Sequence, residues 1–233
     1  MFLNDSKFKS LERIGVGGGI YSNVYGPFRE ISFLLGYSYH IPINDNSNLS
    51  LGMSAVLNHY GVSNSDIKPR DPGDPLVDFE SQLSANASFG LFYYHKNYFA
   101  GVSSTNLFNT SIEKTVENES PRNIYVVGGY RFFPAGNLFA VEPNITYGRD
   151  FEKSENYFEY NAKLYLIKFG WLRLSYYKEF EMKITVALRI YKSFYLAYTF
   201  ANVNSELNSY TNNTHGITIG KNLGVNRNTT NIY

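Results

Sequence analysis

The fold is decided by the stretch Phe28 to Leu57, which reads FREISFLLGYSYHIPINDNSNLSLGMSAVL. From Ile31 to Ile43 every second residue is apolar or aromatic, and most of the residues between them are small or polar. Side chains alternate across a strand with period two, so this pattern predicts a long strand with one apolar face. The polar run Asn44 to Asn48 predicts a turn, because Asn and Asp side chains bond their own main chain.

The same alternation restarts after the turn and continues from Leu49 to Leu57. Together the two runs predict a β-hairpin with strands of at least ten or so residues. That is the length of a tilted transmembrane strand, whereas ordinary strands average about five or six residues.

Composition narrows the function classes. The chain has 233 residues, with 21 Lys and Arg against 20 Asp and Glu, so its net charge of +1 gives no argument for a nucleic-acid partner. It has no cysteine, which excludes disulfides and thiolate metal sites. Aromatic residues make up 17% of the chain, as 21 Tyr, 18 Phe and a single Trp, and such a content suits strands and the aromatic girdles of membrane barrels.

The segment Arg13 to Ser22 (RIGVGGGIYS) predicts a first strand that bends or is approached closely. A phosphate loop is the alternative, but no Lys-Ser or Lys-Thr follows, and Ile20 stands where the third glycine of GxGxxG belongs. Further alternating runs bring the total to about twelve strands and no helix, an all-β chain. The later strands are predicted at Ser84–Tyr94, Tyr98–Thr105, Asn123–Phe133, Leu138–Tyr147, Asn156–Phe169, Trp171–Lys178, Met182–Ile190, Phe194–Ala201 and His215–Leu223.

The connections alternate between tight and long, which favours an up-and-down transmembrane barrel over a soluble sandwich. Barrels of outer membranes have short turns at one end and long loops at the other. We therefore expect the loops Ser63 to Asp78, Asn106 to Pro121 and Asn204 to Asn213 to share one end, and the turns at Asn46, Lys96 and Gly136 to share the other.

We also expect two different faces. Phe33, Leu35, Leu51, Leu91, Leu164, Leu174 and Leu188 are predicted to point outward to lipid. The charged residues predicted on the opposite face are Glu142, Lys163, Arg173, Lys183 and Arg189. A polar lumen accommodates such side chains, although the solvent face of a sandwich would accept them equally well.

No chemistry-bearing motif emerges. The four histidines, His40, His59, His95 and His215, form no pair at metal-ligand spacing, and HExxH and GxSxG are absent. The acidic residues of the loop from His59 to Leu83 do not follow the spacing of a calcium-binding EF-hand loop. We therefore expect no catalytic, cofactor-binding or metal-binding residues, although a Ser/His/Asp set assembled across strands stays an open alternative at this point.

Several of these segments resemble the PorP/SprF family of type IX secretion-system membrane proteins. The resemblance rests on GYSYHIPINDNSNLSLGMSA (36–55), DPGDPLV (71–77), ASFGLFYYHKNYFAGVSSTNLF (87–108), LRIYKSFYLAYTFANVNSEL (188–207) and THGITIG (214–220). It covers Ile14 to Gly220, and His215-Gly216 departs from the family's usual His-Glu ending. The start MFLNDSKFKS does not read as a secretory signal, and family members usually begin with further strands. We therefore expect residues 1–233 to be a single barrel domain that lacks the family's N-terminal strands.

The resemblance implies a barrel in the outer membrane of a Gram-negative bacterium. It would be an accessory component of type IX protein secretion and gliding, with secreted surface proteins, other secretion components and membrane lipid as partners. It implies that the protein is not an enzyme, and it implies no cofactor and no nucleic acid. An outer-membrane channel or a transporter of small hydrophobic molecules is the alternative. A soluble ligand-carrying barrel fits less well, since about twelve strands exceed the eight of lipocalins.

Overall fold

A computed structural model describes residues 13–25, 28–62, 81–108, 110–111, 122–134, 138–151, 154–166, 169–177, 181–191, 194–203 and 213–221. These residues form strands and the turns between them. In chain order the strands are β1 (Ile14–Tyr25), β2 (Phe28–Asn44), β3 (Ser47–Val62), β4 (Gln82–His95), β5 (Tyr98–Thr105), β6 (Thr110–Ser111), β7 (Asn123–Tyr130), β8 (Phe139–Asp150), β9 (Glu155–Leu166), β10 (Gly170–Tyr177), β11 (Glu181–Tyr191), β12 (Phe194–Val203) and β13 (Thr214–Lys221).

The strands follow one another in space as they do along the chain. Hydrogen bonds join β1 to β5 in sequence and then β7 to β13, in an antiparallel up-and-down order, while the two-residue β6 pairs with β4. The prediction of an all-β, up-and-down chain with about twelve long strands is confirmed. Within the described ranges, no helix is long and apolar enough to cross a membrane.

The hairpin of β2 and β3 forms as its alternation predicts. Its strands have 17 and 16 residues, and most of the apolar residues face another across the pair, as Phe33 faces Leu57 and Tyr39 faces Leu51. The Asn46 N–H donates to Asn44 Oδ1 at 3.0 Å, so the turn is closed by the side-chain chemistry that its composition predicts.

Contacts divide the chain into two compact units. Unit 1 comprises Met1–Tyr93, Gly101–Ile124 and Asp150–Glu155, and so contains β1 to β3 and most of β4. Unit 2 comprises Tyr94–Ala100, Tyr125–Arg149 and Asn156–Tyr233, and contains most of β7 to β9 together with β10 to β13. The expected single domain stays a prediction.

Two expectations about local structure need correction. β1 does not end at Ser22 as predicted but runs to Tyr25, which pairs with Phe28. The predicted loop from Asn106 to Pro121 contains β6, which pairs with Ser84 and Ala85. The predicted close approach to β1 is confirmed at Gly15, where an added Cβ would overlap the Ser38 hydroxyl, and at Gly18, where it would lie 3.2 Å from the Leu34 carbonyl oxygen. At Gly17 and Gly19 an added Cβ would meet no described atom within 4 Å.

The long loops of the topology prediction fall largely outside the described residues. These are residues 63–80, 112–121 and 204–212. The expectation that they share one end of the molecule, opposite the tight turns, stays a prediction. Residues 135–137, which include the turn predicted at Gly136, are likewise outside the described part.

Candidate functional site

In the hairpin of β2 and β3, the apolar residues of one face are exposed, while several small and polar residues of the other face are covered. In β2 Leu35 is 72% exposed and Ser32 only 8%. In β3 Leu51, Met53 and Leu57 are all exposed, whereas Ser50 is buried. Water-soluble sheets show the reverse, with the apolar face packed on the core. An apolar surface of this extent marks contact with a membrane or a protein.

The apolar and the charged residues of β10 and β11 lie on opposite faces of their strands, as predicted, while the direction of each face, toward lipid or toward a lumen, stays a prediction. Of the seven residues predicted to point outward, six are exposed and Leu164 is half-buried. Arg173 lies opposite Lys163 and Thr185, on the other face from its neighbour Leu174. Lys183 and Arg189 share the face of Arg173, because they are separated from its partner Thr185 by even numbers of residues.

Several exposed aromatic side chains lie where the strands of unit 2 meet their short connections. They are Tyr98, Tyr130, Phe132, Phe169 and Phe194. The rings of Tyr130 and Phe132 lie 4.6 Å apart, and Tyr98 stacks on His95 at 4.6 Å. Such a band is typical of the aromatic girdle that a membrane barrel places at a lipid–water interface.

In unit 1 the polar face of the first three strands is lined by small residues. Gly17, Gly36 and Ser54 form one row across β1, β2 and β3, and Gly15, Ser38 and Gly52 form another. The Ser38 hydroxyl lies 3.1 Å from the His40 ring, and the Ser32 hydroxyl donates to Glu30 Oε1 at 3.4 Å. Larger side chains also occur on this face, at Leu34 and Val56, which lie opposite each other, and at Tyr21, which lies opposite Ser32.

In unit 2 the same face carries a group that we call the cation–aromatic cluster, which consists of Arg131, Glu142, Lys163, Tyr165, Trp171 and Arg173. Pairing between neighbouring strands, close to their ends, brings these residues together. Phe132 is bridged to Val141, which places Arg131 opposite Glu142. Tyr165 is opposite Trp171, and Lys163 is opposite Arg173, across β9 and β10.

The base of the cluster is a buried ion pair. Arg131 and Glu142 are only 4% and 5% exposed. The Arg131 Nε and a second guanidinium nitrogen both donate to Glu142 Oε2, the Nε at 2.8 Å. The Tyr165 hydroxyl donates weakly to both Glu142 oxygens at 3.4 Å. Both charges are therefore compensated, as burial of an ion pair requires.

Two further cations lie on aromatic rings above this pair. The Lys163 Nζ is 4.3 Å from the ring centre of Tyr165 and 4.4 Å from that of Trp171. The Arg173 Cζ is 5.3 Å from the Trp171 ring centre. These distances lie within the range of cation–π attraction. Lys163 is half-buried and Arg173 is exposed, so exposure to solvent increases from the buried ion pair to these two cations.

Sequence reasoning singled out Glu142, Lys163 and Arg173 and placed them on the correct face, but it missed Arg131, Tyr165 and Trp171. The alternation of faces continues to the ends of the strands, and it would have placed these three residues on the polar face. Lys183 and Arg189 share the face of the cluster but belong to none of the contacts that define it.

Neighbouring aromatic rings brace the polar face of unit 2. Tyr157 lies over Gly148 so closely that a Cβ there would overlap its ring. The Tyr157 ring centre is 5.0 Å from that of Tyr177 and 6.1 Å from that of Tyr125. Phe99 covers Gly129 in the same way. Rings laid over glycines stiffen a sheet by filling the space that the missing side chains leave.

The described residues hold no group of three or more His, Asp and Glu side chains that could bind a metal. The histidines are separate: His95 stacks on Tyr98, and the His215 Nδ1 lies 2.6 Å from the Tyr198 hydroxyl. The arrangement is suited to binding. One face is apolar and compatible with lipid, and the other carries a basic, aromatic patch. The expectation of no catalytic, cofactor or metal site stays a prediction.

Comparison with known proteins adds one finding. A family model described as "Type IX secretion system membrane protein PorP/SprF" matches residues 1–220. No curated protein matches the chain in sequence.

Proposed function

The chain belongs to the PorP/SprF family of type IX secretion system membrane proteins, and from this we propose that it works as an outer-membrane β-barrel that helps to export secreted proteins or to attach them at the cell surface. We propose further that it is not an enzyme. Family membership implies association with other components of the type IX secretion system. The outer membrane, the secreted partner proteins and direct lipid contact belong to the proposal.

One observation carries the membrane part of the proposal, namely the exposure of the apolar face. Ile217 and Ile219 of β13 are 74% and 76% exposed, and Val186, Leu188 and Leu196 on the neighbouring strands are exposed with them. Burying such a surface in water-excluding surroundings is favourable by about 25 cal/mol per Å². A bilayer supplies those surroundings to a strand on one face while the other face stays polar.

The contact role of the loops belongs to the same proposal. The loop Ser63 to Asp78, which lies outside the described residues, carries Lys68, Arg70, Asp71 and Asp74 for polar contacts. Its prolines restrict the free chain and so lower the entropy lost on binding. Loops on a rigid scaffold are where binding residues concentrate.

A second candidate, an outer-membrane channel or transporter, is favoured by the accessible charges on the polar face. Arg173, Lys183 and Arg189 are all exposed there. A conducting pore needs such a polar path, whereas an accessory protein can fill its lumen with side chains.

The test is deletion of the gene in its native bacterium, with complementation by the wild-type chain and by a variant in which residues 67–76 are replaced by a Gly/Ser linker. We expect deletion to remove one or more secreted proteins from the cell surface, and the linker variant to stay folded in the membrane without restoring them. Unchanged surface proteins after deletion would contradict the proposal. Ion conductance by the purified protein in planar bilayers would then favour the channel.

A further inference from the structure

The charges of the cation–aromatic cluster do not balance. It holds three cations, Arg131, Lys163 and Arg173, and a single carboxylate, Glu142, which is already taken by Arg131. Lys163 and Arg173 stand directly opposite each other on β9 and β10. Like charges in that position destabilise a strand pair. Two excess positive charges are therefore held together on the polar face.

The aromatic rings below the cations account for only part of this arrangement. Cation–π contacts hold Lys163 and Arg173 in place over Trp171. However, an aromatic ring has no conventional acceptor atom, so it cannot satisfy the five N–H donors of an arginine or the three of a lysine. No ion pair of either residue with a carboxylate is found among the described residues.

We propose that Lys163 and Arg173, supported by Trp171, form a binding site for an acidic peptide segment of a partner protein. A carboxylate is the matching group, because the cluster already binds one in the same surroundings, where Arg131 and Tyr165 hold the carboxylate of Glu142. Two cations on directly opposite residues are close enough to bind one carboxylate together. Trp171 adds an apolar surface for the segment's side-chain stem.

The position of the site indicates the side from which the segment arrives. Arg131 directly follows β7, Tyr165 lies at the end of β9, and Trp171 at the start of β10, so the cluster lies close to the short connections of these strands. In outer-membrane barrels the short connections face the periplasm. This part of the inference rests on the proposed function, which supplies both the orientation and a protein as the partner.

The experiment uses the full chain, purified and reconstituted in phosphatidylcholine vesicles. The probe is a dye-labelled peptide of alternating Gly and Glu, and binding is followed by anisotropy. Fluorescence of Trp171, the only tryptophan of the chain, reports whether the unlabelled peptide reaches the site. We expect saturable binding whose affinity falls as the salt concentration is raised. K163Q and R173Q are each expected to reduce the affinity about tenfold. K183Q removes one charge from the same face away from Trp171 and is expected to change the affinity less than twofold.

The outcomes are separable from those of the gene deletion. Equal weakening by K163Q and K183Q would mean a general charge effect and overturn the site. Equal binding of a Gly/Gln peptide, or a response to inorganic phosphate alone, would overturn the assignment to acidic peptide. No peptide binding by a protein whose deletion still removes surface proteins would overturn this inference and leave the proposed function standing. Each variant is first shown to resist unfolding in detergent as the wild type does.

Discussion

The hairpin of β2 and β3 and the pair of β9 and β10 share one face and differ in the other. In both, alternate apolar residues are exposed, such as Leu35 in the hairpin and Leu174 in β10. On the polar face, the hairpin carries Gly36, Ser38 and Ser54, whereas β9 and β10 carry Lys163, Tyr165 and Trp171. Every strand of a membrane barrel needs an apolar face toward lipid, and both regions have such a face. The polar face is free to differ, and it is where specific recognition can arise without change of fold.

The largest expected effect comes from breaking the ion pair under the cation–aromatic cluster. Glu142→Gln leaves the Arg131 guanidinium buried without a compensating charge, and we expect a loss of about 3–5 kcal/mol in the free energy of unfolding. Urea titration in detergent or vesicles measures it. In the hairpin, Ser54→Ala removes a polar group with no charged partner and is expected to change stability little.

A double variant separates the ion pair from other causes. Replacing both partners, as in Arg131→Met with Glu142→Leu, leaves no uncompensated charge and is expected to recover most of the lost stability. A double variant as unstable as Glu142→Gln would show that packing, rather than charge compensation, holds this region.

The next effect tests what the two regions share. Leu51→Arg in the hairpin and Leu174→Arg in β10 each place a charge on the exposed apolar face, and each is expected to cost about 2–4 kcal/mol if the position lies near the bilayer midplane. The measurement is reversible unfolding in vesicles. Ser54→Arg is the control, because it stands on the polar face opposite Gly36. If the control lost as much stability as Leu51→Arg, the assignment of faces would be wrong.

The smallest effect concerns an aromatic ring packed over a glycine, an arrangement that the hairpin lacks in its described residues and that Phe99 of β5 and Gly129 of β7 show. Gly129→Ala would place a Cβ 2.5 Å from the Phe99 ring and 2.7 Å from the Asn144 Cβ, so we expect a loss of about 1–3 kcal/mol from overpacking. Gly128→Ala, one residue away on the other face, would meet no described atom closer than the Phe99 carbonyl oxygen at 3.9 Å. We expect that control to fold with unchanged or slightly raised stability, and thermal unfolding compares the two. Equal losses would indicate that neither glycine position of β7 tolerates an added Cβ, whatever the space around it.

The same contrast shows what the sequence could predict. Alternation identified the strands and assigned Leu174 and Arg173 to opposite faces, because period two is a local property of the chain. The cluster was missed because it depends on which residues lie opposite each other in neighbouring strands. Register is fixed by turns and by pairing, as in the bridge of Phe132 to Val141, and composition does not state it. The two-residue β6 was missed for a related reason, since two residues are too few to show a period.

The central claim is that the apolar face of the hairpin and of the strands from β9 to β11 contacts lipid and the polar face does not. The chain has no cysteine, so single cysteines at Leu51, Ser54, Leu188 and Arg189 can each carry a spin label in vesicles. Collision with oxygen, which dissolves in the bilayer, measures lipid contact. We predict high oxygen accessibility at Leu51 and Leu188 and low accessibility at Ser54 and Arg189. Equal accessibility within each pair, or higher values at Ser54 and Arg189, would contradict the account.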